Sequence, residues 1–307
     1  MIWMNRRQLF ASTAWVLVAS IFEPHSGSSE ATAARDGVME GHLRPLTEPG
    51  NGDNRATFMP RGDKLLFASS RSGKSQIWQI DRSGEHRIHF HKSGANDYGR
   101  VAPNSNGSRI SFSSDRDGQN AIYVLDLVSG AAVLVSDPAF WSFGPSWSAR
   151  DLIAFFSKKG GNALNIWTVR PDGSHAQQVT DQPGESRQPW WSPDGDTLAI
   201  SYDHGTGKFA ISLSRPDGSD ARPITVSGSC AQPFWSPDGK RIAVSGKFRE
   251  PHPRIYIMNA DGSALQPIRQ PIGRDNVHPA WSPDGRSIVF TSGRGAGSSL
   301  YVFDTAF

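Results

Sequence analysis

Six short apolar runs punctuate the chain at nearly regular intervals: Leu65-Leu66-Phe67, Ile110-Ser111-Phe112, Ile153-Ala154-Phe155, Leu198-Ala199-Ile200, Ile242-Ala243-Val244 and Ile288-Val289-Phe290. A polar loop follows each one. Then comes a second run: Ile77-Trp78-Gln79-Ile80, Ile122-Tyr123-Val124-Leu125, Ile166-Trp167-Thr168-Val169, Ile211-Ser212-Leu213, Ile255-Tyr256-Ile257-Met258 and Leu300-Tyr301-Val302-Phe303. Brief segments rich in β-branched and aromatic residues, several of them alternating, predict strands.

Turn signals precede each pair of runs. Trp191-Ser192-Pro193-Asp194-Gly195 recurs at Trp235–Gly239 and at Trp281–Gly285. Weaker copies keep part of it: Trp147-Ser148-Ala149-Arg150, Pro103-Asn104-Ser105-Asn106-Gly107 and Phe58-Met59-Pro60-Arg61-Gly62. The anchors at 58, 103, 147, 191, 235 and 281 are spaced by 45, 44, 44, 44 and 46 residues. Such a period, repeated, indicates a solenoid or a propeller. Proline presets φ in the turn, glycine supplies positive φ, and the Asp carboxylates cap nearby N–H groups. A second turn, Pro171-Asp172-Gly173, recurs at Pro216–Gly218 and, with Ala260 for proline, at Ala260–Gly262. These aspartates read as structural, and the anchor tryptophans as filler between adjacent sheets.

The sixth repeat stops at Phe307, after its third strand. His42-Leu43-Arg44-Pro45-Leu46-Thr47 resembles the fourth-strand segment Asp220-Ala221-Arg222-Pro223-Ile224-Thr225. The prediction is an all-β, six-bladed β-propeller of four-stranded antiparallel blades over residues 35–307. The N-terminal strand closes the last blade, which hides the free edges.

Composition narrows the functional classes. The chain has 307 residues, 37% of them hydrophobic, with 31 glycines and 21 prolines, which is too apolar for a disordered chain. A net charge of +3 with no long basic run argues against nucleic-acid binding. A lone cysteine, Cys230, permits neither an intramolecular disulfide nor a metal site built on several cysteines, and its expected place is the core.

Residues 1–34 carry the parts of an export signal. Arg6-Arg7 precede an apolar run from Leu9 to Phe22, and Ala31-Thr32-Ala33-Ala34 offers small residues for cleavage. Asn5–Phe10 resembles a twin-arginine signal. The apolar run falls short of the roughly 20 residues a membrane-spanning helix needs. The expectation is a periplasmic or secreted protein with no stable membrane span.

The Trp-Ser-Pro-Asp-Gly repeats resemble the propeller of the TolB family over about residues 40–307. That resemblance implies a protein-binding role, since the TolB propeller docks the envelope lipoprotein Pal. TolB proteins also carry an α/β domain before the propeller, and residues between the signal and position 40 leave no room for one. The repeat is also similar to the propeller of prolyl oligopeptidases, but no G-x-S-x-G nucleophile turn is found.

By analogy with other propellers, a ligand would sit at the mouth of the central channel. Three residues before the anchors lie Arg55, Arg100, Gly144, Gln188, Gln232 and His278, and strand alternation should aim this column at the channel. Loops between second and third strands bring Arg71, Lys74, Arg116, Lys158, Lys159, His204, Lys247, Arg249 and Arg294 to the same face. The expected result is a basic mouth that receives an acidic segment of an envelope protein or lipoprotein, or an anionic glycan. The alternative is a glycan-active enzyme, such as a lyase similar to those acting on pectate fragments. Such lyases hold a metal with several histidines, whereas here the column offers His278 alone, with His204 as a neighbour. No catalytic residue, cofactor or metal site is assigned, and a monomer is expected. His86, His89 and His91 lie on an outer strand, where His89 and His91 should share one face. Asp115–Asn120 is reminiscent of a calcium loop but lacks its terminal glutamate and reads as a turn.

Overall fold

The computed structural model describes residues 37–203, 205–225, 229–248 and 250–306. The expected export signal at 1–34, His204 and Arg249 lie outside the described residues.

Six four-stranded sheets account for the strands, each antiparallel throughout. In blade 1 the strands are Asn54–Phe58, Lys64–Ser69, Gln76–Asp81 and Ile88–His91, from the channel outward. Blades 2 to 5 follow the same order, with first strands at Asp97–Pro103, Ser142–Trp147, Glu185–Trp191 and Ser229–Trp235. Blade 6 comprises Asn276–Trp281, Ser287–Ser292 and Ser299–Thr305, and its fourth strand is Gly41–Pro45 from the other end of the chain. Gly41 pairs with Thr305 and Pro45 with Tyr301.

One hydrogen bond shows why this N-terminal segment fits. In blades 3 and 4, a threonine just past the fourth strand accepts from the first N–H of the third-strand apolar run: Thr180 from Ile166 and Thr225 from Ile211, both at 2.9 Å. Thr47 does the same for Leu300 at 3.0 Å. The Arg-Pro-Leu-Thr and Arg-Pro-Ile-Thr segments are thus interchangeable parts. Prolines 223 and 267 sit in fourth strands, where an edge tolerates a residue without an N–H.

The turns behave as their residues predict. Ser192 donates to Asp194 Oδ1 at 2.5 Å and accepts from Thr197 N at 2.9 Å, and Asp194 accepts from Asp196 N. Ser236–Asp238 and Ser282–Asp284 repeat the arrangement. The anchors Trp147, Trp191, Trp235 and Trp281 are buried. Trp235 packs with Ala199, Ile211 and Leu213 of the preceding blade, and Trp191 with Ala154 and Ile166. They are cement between sheets, and Cys230 is buried among them, its thiol pushed up to about 12 by burial.

Candidate functional site

The residues aimed at the channel get there by backbone geometry that simple alternation does not supply. In every blade the first strand carries a bulge against the second: between Asn54 and Thr57, Tyr98 and Ala102, Phe143 and Ser146, Arg187 and Trp190, Ala231 and Phe234, and Val277 and Ala280. Arg55, Gln188, Gln232 and His278 take left-handed φ values of 55°, 54°, 61° and 57° there. Such values are uncommon for residues other than glycine, and a bulge is a recognised means of re-aiming a side chain. Gly144 does the same in blade 3, and in blade 2 Gly99 takes the left-handed turn so that Arg100 follows it.

Hydroxyls from neighbouring blades hold four of these bulges. The bulged N–H groups of Arg55, Gly144, Gln232 and His278 donate to Thr291, Ser113, Ser201 and Ser245, at 3.0, 3.0, 2.9 and 3.2 Å. Each acceptor is the fourth residue of a second-strand run. Blades 1 and 3 break the series, because Ala68 and Phe156 stand where the hydroxyl would be.

A cavity of about 570 Å³ lies at the mouth, with Phe156 in its wall. Arg55, Arg100, Gly144, Gln188, Gln232 and His278 all line it, so the six predicted column residues do converge. Its wall on the side of blades 3 and 4 is aromatic: Trp141, Phe143, Phe156 and Trp190. Gly144 makes the room, since a Cβ there would lie 2.6 Å from the Phe156 ring.

The floor is cationic. Arg55 Nε donates to His278 Nε2 at 3.2 Å, and Arg100 Nη2 donates to the carbonyl of Pro279 at 2.9 Å. The Arg100 guanidinium lies 4.9 Å from the Trp190 ring and 5.1 Å from Phe234, which stack on each other at 4.2 Å. Cation–π contact offsets part of the cost of burying that charge. Among the described residues, neither arginine meets a carboxylate. Burial, with Arg55 close by, pulls Arg100 down to about 9. Burial and then the two guanidinium groups hold His278 well below its ordinary value, so the ring is neutral. Because its Nε2 accepts from Arg55, the proton sits on Nδ1.

The outer crown is less basic than the sequence suggests. Arg71 is bound to buried Asp53 at 2.6 Å, Arg116 to buried Asp97 at 3.3 Å, and Arg294 to Asp275. Lys159 meets Asp137 at 3.1 Å. Their charge is largely cancelled, and among the described residues of the expected crown only Lys158 lines the cavity. The acids responsible lie just before, or at the start of, first strands, away from the repeated motif, which is why the sequence did not advertise the pairing.

Sequence reasoning also missed the aromatic wall, although columns of the repeat carried a signal. The residue before each anchor reads Thr57, Ala102, Ser146, Trp190, Phe234 and Ala280, so two aromatics stand among small residues. The histidines of blade 1 depart from expectation too. A register shift opposite Ile77 and Trp78 separates His89 from His91. His89 stacks on Trp78 at 4.6 Å, while His91 meets Phe112 of the next blade, so the two rings do not share a face. Gly118 N donates to the carbonyl of Asp115 at 3.0 Å, which closes a turn, and the Asp115 carboxylate accepts from Asn96 N and Nδ2 at 2.8 and 2.9 Å.

The family model described as the TolB beta propeller domain matches residues 36–193 and 224–306. A TolB homolog from Chlorobium chlorochromatii is 29% identical over 171 residues, covering 52% of this chain and 37% of that protein. The curated relatives it matches are covered over only 12% to 49% of their own length. Among solved structures, a candidate TolB from Agrobacterium tumefaciens superposes with a TM-score of 0.70 at 20% identity, covering 88% of this chain and 100% of that one. An oligogalacturonate lyase in complex with manganese gives 0.60 at 17% identity, covering 88% and 95%. At these identities both structures speak to the fold alone.

Proposed function

The chain belongs to the TolB β-propeller family, and from that premise we propose that it is an exported binding propeller that captures an acidic segment of a cell-envelope protein at its channel mouth. The observation that carries this reading is the pair Arg55 and Arg100, two guanidinium groups on the cavity floor with no carboxylate beside them among the described residues. A desolvated charge without a counter-ion is costly, so an incoming carboxylate gains more there than at an exposed lysine. The paired arginines Arg6-Arg7 and the short apolar run from Leu9 to Phe22 support an envelope location.

Binding is favoured over catalysis by the chemistry of the wall. The described lining holds one histidine and no carboxylate, whereas a catalytic transition-metal site takes about three protein ligands. The group Asp81, Glu85 and His86 lies on a turn at the outer edge of blade 1, where Asp81 is already engaged by Ser83, Glu85 N and His86.

The test is capture from an envelope fraction by wild-type protein and by Arg55→Glu and Arg100→Glu variants. The reading expects one or more envelope proteins to be retained by the wild type and lost from both variants. Equal retention by all three overturns it.

A further inference from the structure

The cavity at the mouth is built for more than negative charge. The guanidinium groups of Arg55 and Arg100 form its floor with the neutral ring of His278, and Lys158 also lines it. The remainder is mostly apolar: Trp141, Phe143 and Phe156 on one side, with Pro145, Leu164 and Pro189 completing the wall. Arg187 also lines it but is neutralised by Glu185.

Two donors on this floor are unused. Arg100 is 9% exposed, and its Nε is buried without a hydrogen-bond partner. His278 Nδ1, which carries the proton of the neutral ring, is likewise buried and unpartnered. Orphaned buried donors are rare and costly unless something accepts from them. Fixed guanidinium N–H groups match the planar oxygens of a carboxylate.

We infer that this cavity binds a single carboxylate carried on an aromatic or similarly flat apolar body, with the carboxylate between Arg55, Arg100 and His278 and the body against Trp141, Phe143 and Phe156. This rests on the reading that the mouth is the binding site, and it narrows the ligand. A polyuronate would leave the aromatic wall facing polar groups, and an acidic segment fits only where an aromatic residue accompanies its carboxylate. Two sources share the chemistry: a free aromatic acid, and the terminal carboxylate of a polypeptide ending in an aromatic residue.

Calorimetric titration of the purified protein separates the outcomes. The probes are indole-3-acetate, its neutral amide, inorganic phosphate, trigalacturonate, and a short peptide ending in tryptophan with a free or an amidated terminus. The expected result is that indole-3-acetate binds at least about tenfold tighter than the amide, as loss of a charge-assisted hydrogen bond predicts. Arg100→Met should remove most of that preference. A free-ended peptide that binds tighter than indole-3-acetate assigns the carboxylate to a chain terminus; the reverse order assigns it to a free acid. Equal binding of acid and amide, or tighter binding of phosphate or trigalacturonate than of indole-3-acetate, overturns the inference. The wild-type comparison does not depend on any variant folding. If the probes fail while envelope capture is still lost on charge reversal, the inference falls and the docking reading stands. If the acid binds while capture ignores the charge reversals, the docking reading alone falls.

Discussion

Arg55 Nε lies 3.2 Å from His278 Nε2, so a guanidinium of the first blade donates to an imidazole of the last across the seam where the ring closes. The bond fixes the ring's tautomer and leaves the imidazole neutral between two cations. It also couples closure of the propeller to the shape of its mouth.

The neutral ring gives a pH dependence with a definite sign. Burial, followed by Arg55 and Arg100, depresses the folded-state pKa of His278 below the ordinary 6.5. Between the folded and unfolded values the unfolded chain therefore binds more protons, and stability falls as pH drops below about 6.5. His278→Gln should flatten this part of the profile in urea titrations between pH 5 and 7. An unchanged slope would mean that the ring takes up its proton without cost in the folded state.

Gly144 is where the cavity is most sensitive to added volume. It holds φ 63°, and a Cβ would come within 2.6 Å of Phe156. Gly144→Ala is expected to cost ~1–3 kcal/mol in denaturant unfolding, from backbone strain and overpacking together. Glycines 118 and 130, also left-handed but open to space, should cost less on the same substitution.

The hydroxyl ties between blades can be tested one at a time. Thr291, 3% exposed, accepts from the bulged N–H of Arg55. Thr291→Val keeps the shape and orphans that N–H, for an expected loss of ~1–3 kcal/mol. The same change at Thr206, on an exposed loop and outside this series, should be close to neutral.

Closure has its own readout. Leu46 is 5% exposed and packs with Phe303 and Leu300 of the last blade. Leu46→Ala should lower unfolding free energy by ~2–5 kcal/mol with an unchanged denaturant slope, because the propeller should still open as one unit. A second transition on the curve would show that blade 6 opens alone.

The blades were legible in the sequence because each is fixed by local chemistry. Ser-Pro-Asp-Gly turns, β-branched runs and the matching Arg-Pro-Leu-Thr and Arg-Pro-Ile-Thr segments act within a few residues of themselves. The column at Arg55, Arg100, Gln188, Gln232 and His278 was legible as a set of positions that meet at one cavity, though not in how they are aimed. Bulges rather than alternation do the aiming, left-handed at Arg55, Gln188, Gln232 and His278 and preceded by left-handed Gly99 at Arg100. The basic crown was overestimated at Arg71, Arg116 and Arg294, whose acid partners are 18 or 19 residues away along the chain. A charge and its counter-ion meet there only once the blade has formed. The aromatic wall depends on departures from the repeat at Phe156, Trp190 and Phe234, which a search for similarity passes over.

The most direct test follows the Nε–Hε NMR signals of individual arginines as indole-3-acetate is added. The account predicts that the signals of Arg55 and Arg100 shift together and saturably, that those of Arg71 and Arg116, tied to Asp53 and Asp97, stay in place, and that the neutral amide moves none of them. Shifts at Arg71 and Arg116 with Arg55 and Arg100 unmoved would contradict it.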